Sequence, residues 1–131
     1  MTIEERIREV WAADATAIAL VPASRVKVPG NWQNLTRPYI ILYPIVETSE
    51  HVHNSGGSIV ALRVWEFFQF SVIADSYPSG KAVAEKCRTV FNGNKSGTQF
   101  FYRGQRWVGR DDTVNAEHIA VDFRIAEILT A

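Results

Sequence analysis

Ile59-Val60-Ala61-Leu62-Arg63-Val64-Trp65-Glu66-Phe67-Phe68-Gln69-Phe70-Ser71-Val72-Ile73-Ala74 is the longest run of β-formers in the chain. Side chains along a strand alternate between its two sides. One side holds Val60, Leu62, Val64, Glu66, Phe68, Phe70, Val72 and Ala74, nearly all apolar, and is expected to face the core. The other holds Ile59, Ala61, Arg63, Trp65, Phe67, Gln69, Ser71 and Ile73. That mixed side presents Trp65 and Phe67 outward. Aromatics on the outer side of a sheet point to a covering partner.

Upstream, Asn54-Ser55-Gly56-Gly57 supplies residues that tolerate positive φ, as a hairpin tip requires. The polar stretch from Glu47 to Ser58 therefore reads as the end of a long hairpin reaching beyond the core. Its first arm begins at Tyr39-Ile40-Ile41-Leu42-Tyr43, and Pro44 within it implies an edge or a bulge. Downstream, Asp75 to Gly80 is a turn into a helix whose core stripe is Ala82, Val83, Cys87, Val90 and Phe91, closed by Asn92-Gly93. Gln99–Tyr102 and Arg106–Gly109 read as a hairpin around Arg103-Gly104-Gln105. Ile119, Val121, Phe123 and Ile125 alternate with Ala120, Asp122, Arg124 and Ala126, a strand with one buried side.

At the other end, Thr2-Ile3-Glu4-Glu5 fits a capping box ahead of Ile3, Ile7, Val10 and Trp11 at helical spacing. This predicts a helix over 3–13. Asp14 or Thr16 caps a continuation to Leu20, which Pro22 ends. Arg25-Val26-Lys27-Val28 is a short strand stopped by Pro29-Gly30, and residues 29–38 form a loop with Trp32 as a candidate anchor. The expected fold is a single α+β domain over 1–131: a mainly antiparallel sheet with a long β-hairpin and two helices packed on one face.

A length of 131 residues with 47% hydrophobic residues suffices for a core without metal or disulfide staples. The one cysteine, Cys87, lies on a helical core stripe, where an inert buried thiol is the ordinary case. The N-terminal residues open a helix rather than an apolar leader, and no apolar run approaches the length of a membrane span. Net charge is zero but segregated: residues 81–110 carry seven bases and one acid, residues 111–131 one base and five acids. Such blocks can pair within the fold or between subunits.

Little in the chain resembles catalytic machinery. His51-x-His53 puts two imidazoles on one side of a strand near Glu47 and Glu50, and His118 is a candidate third ligand, but two histidines do not define a metal site. Asp111-Asp112 adjoin, and neighbouring strand residues point apart, so they suit a turn better than paired acid–base work. No nucleophile elbow, phosphate loop or dinucleotide fingerprint occurs. Bases at 81–110 interleave with Phe100, Phe101, Tyr102 and Trp107, a pattern that can bind single-stranded nucleic acid, yet a net charge of zero argues against a dedicated binder. Catalytic, cofactor and metal sites are all expected to be absent.

The order of elements resembles that of the tail-completion or tail-terminator proteins of long-tailed bacteriophages. The resemblance lies in the N-terminal helix with its Ala-rich continuation, Arg25-Val26-Lys27-Val28-Pro29-Gly30, Arg37-Pro38-Tyr39-Ile40-Ile41, Phe68-Gln69-Phe70-Ser71-Val72-Ile73-Ala74-Asp75 with its Tyr77 turn and following helix, and Asp122-Phe123-Arg124-Ile125. It implies a structural virion protein, assembled in the host cytoplasm, that forms a ring, commonly hexameric, on the head-proximal end of the tail tube. Such a ring stops tube polymerisation and offers the head-attachment surface. The implied partners are further copies of itself, the tail-tube protein and head connector or neck proteins. No membrane and no sequence-specific nucleic acid is implied, although DNA can pass through the ring. Candidate contact residues are Glu47, Glu50, His51, His53, Arg63, Trp65, Phe67, Arg103, Arg106, Arg110, Asp111 and Asp112. A head–tail joining (neck) protein is the alternative, and a small metal-dependent enzyme using the His51/His53 arm is the alternative of another class.

Overall fold

The computed structural model describes residues 2–30, 36–53, 59–95 and 97–129. The first helix, α1 (Ile3–Ala12), starts where the Thr2 hydroxyl accepts from the Glu5 N–H at 3.1 Å, and Glu4 and Glu5 place negative charge at its N-terminus. Asp14 caps the second, α2 (Ala15–Leu20), by accepting from the backbone N–H groups of Thr16 and Ala17, both at 3.0 Å. Thr16 donates its own hydroxyl to the same carboxylate, so the capping role falls to Asp14. These hydrogen bonds, that of the Thr16 hydroxyl first, hold the Asp14 carboxyl below its ordinary pKa. The Trp11 indole N–H donates to the Val21 carbonyl at 2.8 Å, tying α1 to the end of α2.

A one-turn 3₁₀ helix (Ala23–Arg25) leads into β1 (Val26–Lys27). Then come β2 (Tyr39–His53), β3 (Ile59–Ala74), α3 (Tyr77–Val90), β4 (Gly93–Lys95), β5 (Thr98–Asp111) and β6 (Ala116–Leu129). The strands form one curled sheet in the order β1-β2-β3-β6-β5-β4. The α+β class holds and the sheet is mainly antiparallel, with one correction, to the number of helices. The sheet is mixed, because β1 pairs parallel to β2 while every other pairing is antiparallel. Among the described residues there are three α-helices rather than two, because Ala13 and Asp14 interrupt the N-terminal one: Asp14 leaves helical geometry to act as a cap.

All three helices share one core with one side of the sheet. Ile3, Ile7, Trp11, Ala17 and Val21 meet Ile40, Leu42, Phe68, Phe70, Val72, Phe123 and Ile125, with Val83, Ala84, Cys87, Val90 and Phe91 from α3. Aromatic rings dominate its centre. Trp11 stacks on Phe91 at 6.0 Å, and Phe70 stands edge-on to Phe91 at 5.0 Å. α3 lies close to the sheet at Gly80, where a Cβ would come within 3.1 Å of Ile119 Cδ1. The Cys87 thiol is buried, and burial pushes its pKa far up, so it is inert as expected.

The faces of β3 change sides part-way along. Its partners run Ile125 to Trp65 and then Phe123 to Phe68, so β3 carries one more residue than β6 across this interval. On the other flank, Pro44 pairs with Phe68, Val46 with Phe67 and Glu47 with Trp65, so Ile45 is the extra residue of β2 and Glu66 that of β3. A bulge inserts one residue and reverses the inside–outside alternation beyond it. Trp65 is therefore a core residue, 3% exposed and packed against Phe68, instead of an outward aromatic. Phe67 stays outside at 44%.

Residues 103–105 are not a hairpin turn. β5 runs unbroken from Thr98 to Asp111, with extra residues at Arg103 and Val108 opposite β6. Gly104 and Gly109, both at strongly positive φ, carry the backbone through these bulges. The hairpin turn lies at 112–115, where Asp111 Oδ1 accepts from the Thr113 N–H at 3.0 Å and Asn115 adopts φ 52°. Phe91, not Asn92-Gly93, caps α3, and Gly93 opens β4 instead. The hairpin tip at 54–58 and Trp32 lie outside the described residues.

Candidate functional site

The side of the sheet away from the helices carries the side chains that alternate with the core. At one end, outer residues of β2, β3 and β6 enclose a groove of about 360 Å³ lined by Tyr39, Ile41, Tyr43, Ile45, Gln69, Ser71, Ile73 and His118. β2 reads Tyr39-Ile40-Ile41-Leu42-Tyr43: Ile40 and Leu42 go to the core, and Tyr39, Ile41 and Tyr43 to the groove. An apolar run on both sides of a strand implies that both sides are to be covered. Ile45, pushed out by the bulge, is 56% exposed at the rim. His118 Nε2 is buried and has no hydrogen-bond partner among the described residues. Desolvation, with the Arg106 charge second, lowers the pKa of this imidazole.

Beside the groove a charged and aromatic belt crosses three strands. Glu66 accepts from Arg103 at 3.2 Å and from Arg124 at 3.3 Å. The Arg103 guanidinium lies 5.1 Å over Phe67 and that of Arg124 5.5 Å over Phe101. Arg106 spans Asp122 at 2.5 Å and Gln69 Oε1 at 3.0 Å, and Gln69 passes a hydrogen bond to Ser71 Oγ at 2.6 Å. Further along β5, Arg110 donates to Glu117 at 3.0 Å and to Asp112 at 3.1 Å, and the Trp107 indole N–H donates to Glu117 at 2.7 Å. The Trp107 hydrogen bond first, and then Arg110, hold the Glu117 carboxyl below its ordinary range.

The candidate residues thus fall into three groups. Phe67, Arg103 and Arg106 share the belt, while Arg110, Asp111 and Asp112 sit at the end of β5 and its turn. Glu47 and Arg63 pair at 3.2 Å on the hairpin arm, where Arg63 lies 5.9 Å over Trp65. Trp65 leaves the surface set because it is buried. The side chains of Glu50, His51 and His53 lie outside the described residues. The basic 81–110 block and the acidic C-terminal block meet within one chain, through Arg106–Asp122 and Arg110–Glu117. In both pairs the carboxylate is largely buried while the guanidinium keeps contact with solvent, and each pair ties β5 to β6 in register. The groove tyrosines and isoleucines were missed as candidates, although the two-sided apolar run of β2 signalled them.

Backbone register puts His51 beside Ala61 and His118 beside Ile73 on the same strand. At about 3.3 Å per residue those points are roughly 40 Å apart, so His118 is not a third ligand for the histidine pair. Among the described residues, no group of three or more His, Cys, Asp or Glu could hold a metal ion, and no helix is long and apolar enough to cross a membrane. Compared with known proteins, the chain matches no family model and no curated sequence.

Proposed function

We propose that the chain is a structural virion protein, a tail terminator that caps a bacteriophage tail tube as an oligomeric ring. The observation that carries this reading is the helix-free side of the sheet: an apolar groove beside an arginine–aromatic belt, with no described element of the chain packed over it. Surfaces of this composition, apolar at the centre with aromatics and arginine beside them, suit protein contact. The order of elements that resembles the tail-terminator proteins supports the choice of partner, and groove and belt supply a place for it. Termination needs no chemistry, only a surface that binds the last tube subunit and offers nothing for the next to bind.

The test is binding of the purified protein to tail-tube protein and, separately, to head connector protein. Saturable binding to tube ends supports the terminator. Binding to the connector alone reassigns the chain as a neck protein, and binding to neither refutes the virion reading. Stoichiometric metal in the purified protein would instead favour an enzyme built on His51 and His53.

A further inference from the structure

Among the described residues the sheet has two long edges without a partner strand. β1 pairs with β2 only at Ile40 and Ile41, and β4 pairs with β5 only at Thr98–Phe100. Among the described residues, no strand pairs with the outer edge of β2 over Leu42–His53 or of β5 over Phe101–Asp111. An unpaired edge presents a row of backbone donors and acceptors that invites another strand.

The two edges complement each other in charge. Leu42–His53 carries two acids, Glu47 and Glu50, and no Lys or Arg, whereas Phe101–Asp111 carries three arginines and one acid. Arg103 and Arg106 hold internal partners yet remain 40% and 56% exposed, so the β5 edge still presents positive charge. Like edges would repel, so β2 against β2 and β5 against β5 are both disfavoured.

Direction and length agree as well. Three successive antiparallel pairings, β2–β3, β3–β6 and β6–β5, make β5 run opposite to β2. A second copy that continues the sheet in the same sense therefore lays its β2 antiparallel to the first copy's β5. In that arrangement the start of β2, covered by β1, falls beyond the end of β5. The start of β5, covered by β4, falls beyond the end of β2. Neither short strand obstructs the joint. The midpoints of the open stretches, near Glu47 and Arg106, come opposite each other.

We infer that copies of this chain join by pairing the β2 edge of one subunit with the β5 edge of the next, extending one sheet around the assembly. This rests on the ring reading above and deepens it by naming the subunit contact. The contact is heterologous, as closing a ring requires.

Cysteine cross-linking tests it in the full-length protein. Glu47 and Val108 are both exposed and near the midpoints, and native Cys87 is buried, so Glu47→Cys and Val108→Cys place single reactive thiols on the two edges. With a short bis-maleimide, each single variant alone is expected to stay uncross-linked, an equimolar mixture to give a 1:1 dimer, and the double variant to give a ladder of multimers. A single variant that cross-links to itself, or a double variant that gives no ladder, overturns the edge contact. Tube capping by the unmodified protein is scored separately. Capping without the ladder removes only this contact, and the ladder without capping removes only the terminator reading.

Discussion

Replacing Trp65 with alanine is expected to cost folding stability rather than partner binding. The ring is 3% exposed, stands edge-on to Phe68 at 6.4 Å and pairs across the ladder with the fully buried Ile125. Truncating a buried tryptophan costs about 3–5 kcal/mol. This site lies near the end of the core, where the Arg63 side chain over the ring has room to settle inward, so about 3 kcal/mol is expected. Against a total of about 5–15 kcal/mol that is a large share. At roughly 4 °C per kcal/mol for a domain of this size, Tm falls by roughly 12 °C. With a urea slope of about 2 kcal/mol per molar, the midpoint falls by about 1.5 M. Phe67→Ala is the internal control: its ring is 44% exposed and its described ring contact is the Arg103 guanidinium at 5.1 Å, so under about 1 kcal/mol is expected. Urea denaturation of wild type and both variants at matched concentration reads the contrast. A Trp65→Ala midpoint equal to wild type, or equal losses for the two variants, would refute the bulge that turns Trp65 inward.

Three further outcomes follow from the packing and the buried charges. Gly80→Val should destabilise by about 1–3 kcal/mol in thermal melts, because its side chain would drive into Ile119 and Ala74; an unchanged Tm would contradict the close approach of α3 to the sheet. Trp11→Phe should cost about 1–3 kcal/mol and speed amide exchange in α1 and α2, since it leaves the Val21 carbonyl without its donor; unchanged exchange would contradict the tether. For pH, His118 protonates in the unfolded chain near its ordinary 6.5 and lower when folded, so its contribution is complete above that value and declines as pH falls below it. His118→Gln should flatten the loss of stability between pH 7.5 and 5.5. The acid limb below the ordinary carboxylate value of 4.5 should remain, because Glu117, held lower in the fold, stabilises only while ionised. Parallel wild-type and variant curves from 7.5 to 5.5 would contradict the desolvated imidazole.

Much of the architecture is legible because it follows from period and caps. The alternation Phe68-Phe70-Val72-Ala74 holds in the structure, as do the Thr2 cap and the alternation of β6. What failed were the points where one extra residue enters a strand. A bulge has no compositional signature of its own, so Trp65 was assigned by extending the downstream alternation through Glu66. The adjacent apolar pair Phe67-Phe68 was the available sign that the parity breaks there. Gly104 was read as a turn because positive φ serves bulges and turns alike. The true turn was visible in Asp111 and Asn115, side chains that bond or bend their own backbone. The ionic belt depends on cross-strand register between β3, β5 and β6, which local pattern does not contain. The groove was partly legible in the two-sided apolar run of β2.

The most direct measurement of the central claim, a protein that works by contact at the end of a tail tube, is tube growth itself. Tail-tube protein is polymerised with and without the purified chain, and tube lengths and ends are scored by electron microscopy. The expected result is shorter tubes whose length falls as the chain is added, each with a ring at one end. Tubes that grow to the same length with bare ends would contradict it.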